Sequence, residues 1–338
     1  MERDRLTSLF RAELELCKVK DGETLVVLSD PGTRPEYIGA SFAAARELGA
    51  QAFQIGVPVV PSWTTVGVTP LRGLTPAVNA MKAADMVVAL HIPLFSRELR
   101  EIMQAGTRVL MVIDHPDDLE RLFPTPGLRR AVEASGRRLE AAREMRVTSA
   151  TGTDLRVKLG EYPTMIQYGY TDVPGRFDHW GAGHVHTFPN EGSAEGTVVV
   201  NVGDMVVLPF YRYVQDPIKV TIREGYIRKI EGGLDALLMR DWLEGWNDPE
   251  GFAISHLGWG LNPRAQWNCM ALYGSERCLA HGRAFAGNFL FSTGPNTQGG
   301  GTRATPGHYD VPMRECSIYL DGEPVVDAGK IVVPEMQA

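Results

Sequence analysis

Thr24-Leu25-Val26-Val27-Leu28-Ser29, closed by Asp30-Pro31-Gly32 and followed by the alanine-rich stretch 35–48 that ends at Gly49, decides the fold of the first part of the chain. Four apolar residues between polar ends, bounded by a Pro-Gly turn, predict a short strand buried on both faces, and the stretch after it predicts a helix. The pattern repeats outward. Upstream, residues 5–19 carry Leu6, Leu9, Phe10, Leu14 and Cys17 at helical spacing. Downstream, 51–60 predicts a strand, a helix over 77–84 leads into Met86-Val87-Val88-Ala89-Leu90-His91, and a helix over 97–105 leads into a strand over 107–113. Near-continuous apolar strands that alternate with helices give a parallel sheet covered on both sides. Residues 1–146 are therefore expected to form an α/β domain in the flavodoxin or Rossmann manner. A ligand would lie beyond the C-terminal strand ends, where Asp30, His91 and Asp114-His115 fall. The turn after the first strand lacks Gly-x-Gly-x-x-Gly and no Walker loop occurs, which argues against a nucleotide.

Residues 127–147 predict a long charged helix, with Arg129, Arg130, Arg137, Arg138, Arg143 and Arg146 interleaved with acids as a solvated face or a subunit contact. It also serves as the expected connector. From residue 147 the composition shifts to short strands with Gly and Asn turns, over 154–159, 164–168, 196–202 and 206–211, then a hairpin over 219–229 around Glu224-Gly225. With a helix over 234–243, residues 147–338 are expected to form a β-rich α+β domain. A length of 338 residues suits two domains. Apolar residues at 44% and charged residues at 22% fit a globular protein, and the net charge of −7 argues against a general nucleic-acid binder. No apolar run approaches the roughly 18–20 residues of a membrane span, and Met1-Glu2-Arg3-Asp4-Arg5 is not followed by a signal-peptide core. The expected location is the cytoplasm. Cys17, Cys269, Cys278 and Cys316 form no metal-finger spacing and are expected to be reduced and structural.

Histidine concentrates in three places in the second half. The first is Phe177-Asp178-His179-Trp180-Gly181-Ala182-Gly183-His184-Val185-His186-Thr187, where glycines suggest flexible backbone. The second is Ile254-Ser255-His256-Leu257-Gly258-Trp259-Gly260-Leu261-Asn262. The third is Gly307-His308-Tyr309-Asp310, where His and Asp two apart on an extended segment project from one face. The alternation after it places this pair at the start of a strand. Joined by His256, the pair becomes two imidazoles and one carboxylate, a set that suits non-haem Fe(II) with open positions or zinc with an activated water. His184-Val185-His186 has the same alternate geometry, either as a second metal clamp or as donors and bases for a bound polar ring. His91 fits a capping or loop residue as well as a ligand-facing one. Arg176, Arg264, Arg283 and Arg303 are each able to receive an acidic substituent, although a surface salt bridge is the commoner fate of an arginine.

In order and spacing, the glycine-bounded cluster running into Phe188-Pro189-Asn190-Glu191-Gly192, then His256-Leu257-Gly258-Trp259-Gly260-Leu261-Asn262, then His308-Tyr309-Asp310, resembles the aminopeptidase T (M29-like) superfamily. Within it the chain is most similar to the 2,5-dihydroxypyridine 5,6-dioxygenases, the ring-cleaving enzymes of nicotine and nicotinate breakdown. Leu90-His91-Ile92-Pro93-Leu94-Phe95-Ser96 and residues 288–296 share in the likeness. The peptidase branch carries a glutamate, in a two-metal site, where this chain has His184 in Gly183-His184-Val185, and that departure favours one iron over two bridged metals. The resemblance implies Fe(II) held by His256, His308 and Asp310 with Ser292 as a weak contact. It implies a hydroxypyridine and O2 as substrates, N-formylmaleamate as product and a homo-oligomeric assembly. Among His179, His184 and His186 one is expected to take up the substrate proton, and His91 to close the pocket. The rival expectations are a two-metal aminopeptidase, and a binding module that inherited the fold and holds no metal.

Overall fold

Val26 and Val27 are both fully buried although neighbours on a strand face opposite ways, so the sheet that contains them is covered on both sides, as expected. The structure, a computed structural model, describes residues 2–58, 70–93, 96–274 and 278–338. Val59 and Val60, placed above in a strand, and Leu94 and Phe95, placed above in the motif around His91, lie outside the described residues.

The chain falls into two compact units, Met1–Pro124 with Gln167–Gly181, and Thr125–Ile166 with Ala182–Ala338. In the first, strands Gln51–Gly56, Thr24–Ser29, Met86–Ala89, Arg108–Met111 and Phe177–His179 lie side by side in that order, all parallel. This is the flavodoxin-like strand order. Helices Arg3–Leu16, Pro35–Glu47, Thr75–Lys82 and Arg97–Gln104 alternate with the first four strands.

The fifth strand is the surprise. Its residues belong to what looked like a glycine-loosened histidine cluster, yet Val109 N–H donates to Arg176 O at 2.8 Å and Trp180 N–H to Met111 O at 3.0 Å. Trp180, fully buried, packs edge-on to Phe10 at 5.1 Å and gives its indole N–H to Leu119 O. That apolar anchor draws residues 167–181 back into the first unit, so the division departs from the expected boundary after residue 146.

The second departure is the charged helix. It runs over Pro126–Ala141 and stops where Ala142 turns extended, and Glu144–Ser149 is a strand in which Met145 and Val147 are buried between more exposed neighbours. Period two wins there over the charge pattern. The arginines are a solvated face: Arg129 pairs with Glu133 at 2.7 Å and Arg138 with Glu335 at 2.5 Å.

The second unit holds an eight-stranded sheet in the order Tyr226–Gly232, Ile218–Arg223, Glu195–Val200, Asp154–Lys158, Glu144–Ser149, Cys316–Leu320, Glu323–Asp327 and Lys330–Ile331. A second sheet is ordered Tyr309–Met313, Phe289–Thr293, Ile254–Gly260, His184–Thr187 and Met165–Gln167. The expected strand over 206–211 shrinks to Met205–Val206 paired with Arg212–Tyr213, because the first two of the residues between them, Val207 and Leu208, bond to Asp310 instead. All four cysteines are free and buried.

Candidate metal centre

Pairing register decides which face each side chain of the second sheet takes. Asp310 pairs with Ser292, Gly258 with His186, and Gly260 with His184. Directly opposed residues share a face. Ile254 opposes Thr293 while Leu257 opposes Phe291, so Ile254–Gly260 carries one residue more than its neighbour across that step. Such a bulge changes the alternation across it, and His256, two residues before Gly258 and four before Gly260, takes their face, that of Ser292, Asp310, His186 and His184. The Ser292 hydroxyl fastens the bulge by donating to the His256 carbonyl at 2.8 Å.

Glycine clears that face. A Cβ at Gly258 would stand 1.9 Å from the Val185 carbonyl oxygen and 2.7 Å from His186 Cα, and one at Gly260 would stand 2.3 Å from the Phe285 carbonyl oxygen. The result is a row of imidazoles: His184 stacks on His186 at 5.4 Å, His186 lies 5.1 Å from His256, and His256 lies 5.6 Å from His308.

His256, His308 and Asp310 bring one donor atom each to within 4.8 Å of one another, with His256 Nε2 3.9 Å from Asp310 Oδ2. It is the one such group among the described residues. His308 gives its Nδ1 proton to Thr293 O at 2.7 Å, which leaves the lone pair on Nε2, the tautomer a metal ligand needs. Asp310 is fixed through its main chain, donating to Leu208 O and accepting from Val207 N–H, each at 3.0 Å.

The electrostatics agree with a cation site. Burial pushes His308 down to about 4 and His186 down to about 3, and the nearby Arg283 charge pushes the same way, so both rings are neutral donors. Burial likewise holds His256 well below its ordinary value. The same burial lifts Asp310 to about 6, with Arg283 opposing it. Neither Asp310 carboxylate oxygen has a hydrogen-bond partner among the described residues. A buried carboxylate without one is costly unless a cation compensates, so the residues present fit a bound metal ion.

Of the expected site residues, then, His184, His186, His256, Ser292, His308 and Asp310 share one face of one sheet in the second unit. His179 and His91 belong to the first unit. His179 ends the strand Phe177–His179, with Nε2 2.6 Å from Asp114 Oδ2, so a carboxylate orients its ring. His91 follows Met86–Ala89; it is 8% exposed, and burial lowers its pKa. The backbone at His184 and His186 is a buried strand, His184–Thr187, and not the flexible stretch expected from its glycines. Among the arginines, Arg176 is bonded to Asp178 and Arg303 to Glu191, Arg264 is exposed, and Arg283 stands beside Asp310. Thr293 and the paired glycines were missed, and Asp114, expected at a ligand-facing strand end, was not foreseen as the partner of His179. Only the glycines carried a signal, since Gly at alternate positions of a strand marks a face kept clear.

Comparison with known proteins first gives the fold and then the family. The structure of AmpT from Thermus thermophilus superposes with a TM-score of 0.64 at 15% identity, covering 97% of this chain and 99% of that one. The M29-like architecture expected above is thereby that of the chain. Over residues 5–333 the sequence matches the family described as 2,5-dihydroxypyridine 5,6-dioxygenase. The 2,5-dihydroxypyridine 5,6-dioxygenase of Pseudomonas putida KT2440 is 43% identical over 340 residues, 98% of this chain and 97% of that protein. A solved structure of 2,5-dihydroxypyridine dioxygenase from the same organism has a TM-score of 0.95 at 42% identity, covering each chain fully. The chain belongs to the 2,5-dihydroxypyridine 5,6-dioxygenase family, an enzyme family. The two-metal aminopeptidase reading shares the fold and not the family.

Proposed function

We propose that the chain is an Fe(II)-dependent dioxygenase that opens 2,5-dihydroxypyridine between carbons 5 and 6, placing both atoms of O2 in N-formylmaleamate. The observation that carries this is the buried set His256, His308 and Asp310, two imidazoles and one carboxylate in a chain of that family. Such a facial set is the donor arrangement of Fe(II) oxygenases. When bound, iron supplies the one-electron chemistry that lets O2 react with a closed-shell ring.

The chain's own residues do the rest. His308 and His256 present neutral nitrogens, Asp310 supplies the one negative charge, and Ser292 keeps His256 aimed, adding a weak contact from its oxygen. One of His179, His184 and His186 takes the proton of the ring hydroxyl, since imidazole is the side chain that ordinarily makes that transfer near neutral pH; burial, which holds His186 down to about 3, works against it in that role. His186 and His184 share the face of the metal donors, and His179 has its ring held by Asp114. His91 closes over the substrate. The enzyme works in the cytoplasm in nicotinate or nicotine breakdown, as a homo-oligomer and without nucleic acid. The net charge of −7 agrees, and no helix among the described residues is long and apolar enough to cross a membrane.

The test is a set of single substitutions assayed for metal content and oxygen uptake. His308→Ala and Asp310→Ala should lose iron and ring opening together. In the base histidine, substitution by Ala should keep iron while kcat falls about a hundredfold or more, and His91→Ala should raise KM with iron kept. Full activity in either ligand variant would remove the triad from the reaction. A solution mass of one chain would remove the oligomer.

A further inference from the structure

Arg283 is 3% exposed and sits in the short helix Leu279–Ala284 beside the donor set. Its Nε has no hydrogen-bond partner among the described residues. Its one ion pair among them runs to Asp310 Oδ2 at 3.6 Å, too long for a hydrogen bond. A buried guanidinium left in that state is costly.

Asp310 does not settle the account. It is the sole carboxylate of the donor group, and with a divalent ion bound that one charge would face both the ion and the guanidinium. The imidazoles around it add no negative charge. The enclosure is therefore short of an anion, and the anion has to arrive with the ligand. A guanidinium presents planar, paired donors that suit an oxygen anion better than a neutral ring atom.

We propose that Arg283 receives an ionised ring hydroxyl of the hydroxypyridine and so selects ligands that carry an oxygen anion over rings that lack one. This rests on the dioxygenase reading and names a substrate-binding residue within it.

The experiment is anaerobic calorimetric titration of iron-loaded protein with 3-hydroxypyridine and, separately, with pyridine. Wild type, Arg283→Met and Arg283→Lys are compared, with iron per chain and melting temperature measured on each. Arg283→Met should bind 3-hydroxypyridine about ten- to a hundredfold more weakly, with pyridine affinity and iron content unchanged. Arg283→Lys, which keeps the charge and loses the fork, should fall between the two and serves alone if the Met variant does not fold. Equal losses for both ligands, unchanged affinity for 3-hydroxypyridine, or a wild type that does not favour it over pyridine would each overturn the proposal. Oxygen uptake by the wild type with 2,5-dihydroxypyridine is recorded on the same preparation. Its absence would defeat the dioxygenase reading itself, whereas uptake with an unaffected Arg283→Met sinks only the role of Arg283.

Discussion

His308 and Asp310 were legible as a pair because period two on an extended segment is a local property, and Tyr309–Met313 begins where the alternation put it. Their partners were not legible. Thr293 holds His308 through a main-chain carbonyl, and Arg283 meets Asp310 across the fold, so neither contact leaves a mark in side-chain type or spacing. The same holds for Glu13, which the helical pattern of Leu6, Phe10 and Leu14 hides among apolar neighbours. Glu13 is fully buried in the first unit with neither carboxylate oxygen hydrogen-bonded among the described residues, and burial, with Asp178 adding to it, lifts its pKa well above the ordinary value. A carboxyl raised on folding binds its proton more tightly in the folded state. Stability is therefore fullest below the unfolded value of about 4.3 and falls as pH rises towards the folded value. Glu13→Met, apolar and of similar length, should melt several degrees above wild type at pH 8, with the gap closing as pH is lowered towards 4. A constant gap across that range would show that Glu13 does not titrate with folding.

At the scale of elements, the strand Ile254–Gly260 does most to build the site, and it was not foreseen as a strand. Glycines at 258 and 260 weaken the propensity signal, and the bulge breaks the alternation that would have revealed it. The site uses both features: at the bulge the His256 carbonyl is held by the Ser292 hydroxyl, and Gly258 lets His186 lie close. By contrast Thr24–Ser29 was plain, since a strand buried on both faces needs only an apolar run. Gly258→Ala would drive a methyl into the Val185 carbonyl and the His186 main chain. Overpacking of this kind costs about 1–3 kcal/mol, and the variant should melt several degrees lower and lose iron. Gly245→Ala is the control. That glycine ends the helix Leu234–Gly245 with nothing within 4 Å of an added Cβ, so melting should hold or rise slightly. Equal behaviour of the two variants in calorimetry and metal analysis would dismiss the close packing at position 258.

For the molecule as a whole, the class of each half was readable from periodicity, but the path between them was not. Residues 167–181 return to the first unit through Trp180 and Phe177, a long-range apolar anchoring that no local pattern announces. His179 thus belongs to the first unit while its near neighbours His184 and His186 belong to the second. The function, too, was reached from short motifs around the three histidine clusters, and family membership over residues 5–333 stands behind it. What the whole chain is claimed to do is hold one iron and consume oxygen with a hydroxypyridine. The most direct measurement is oxygen uptake by protein purified anaerobically, loaded with Fe(II), assayed for metal by elemental analysis and mixed with 2,5-dihydroxypyridine. About one iron per chain, with one O2 consumed for each pyridine lost, is the result expected. Two zinc-like ions per chain with no oxygen uptake, or uptake that persists after the metal is stripped, would contradict it.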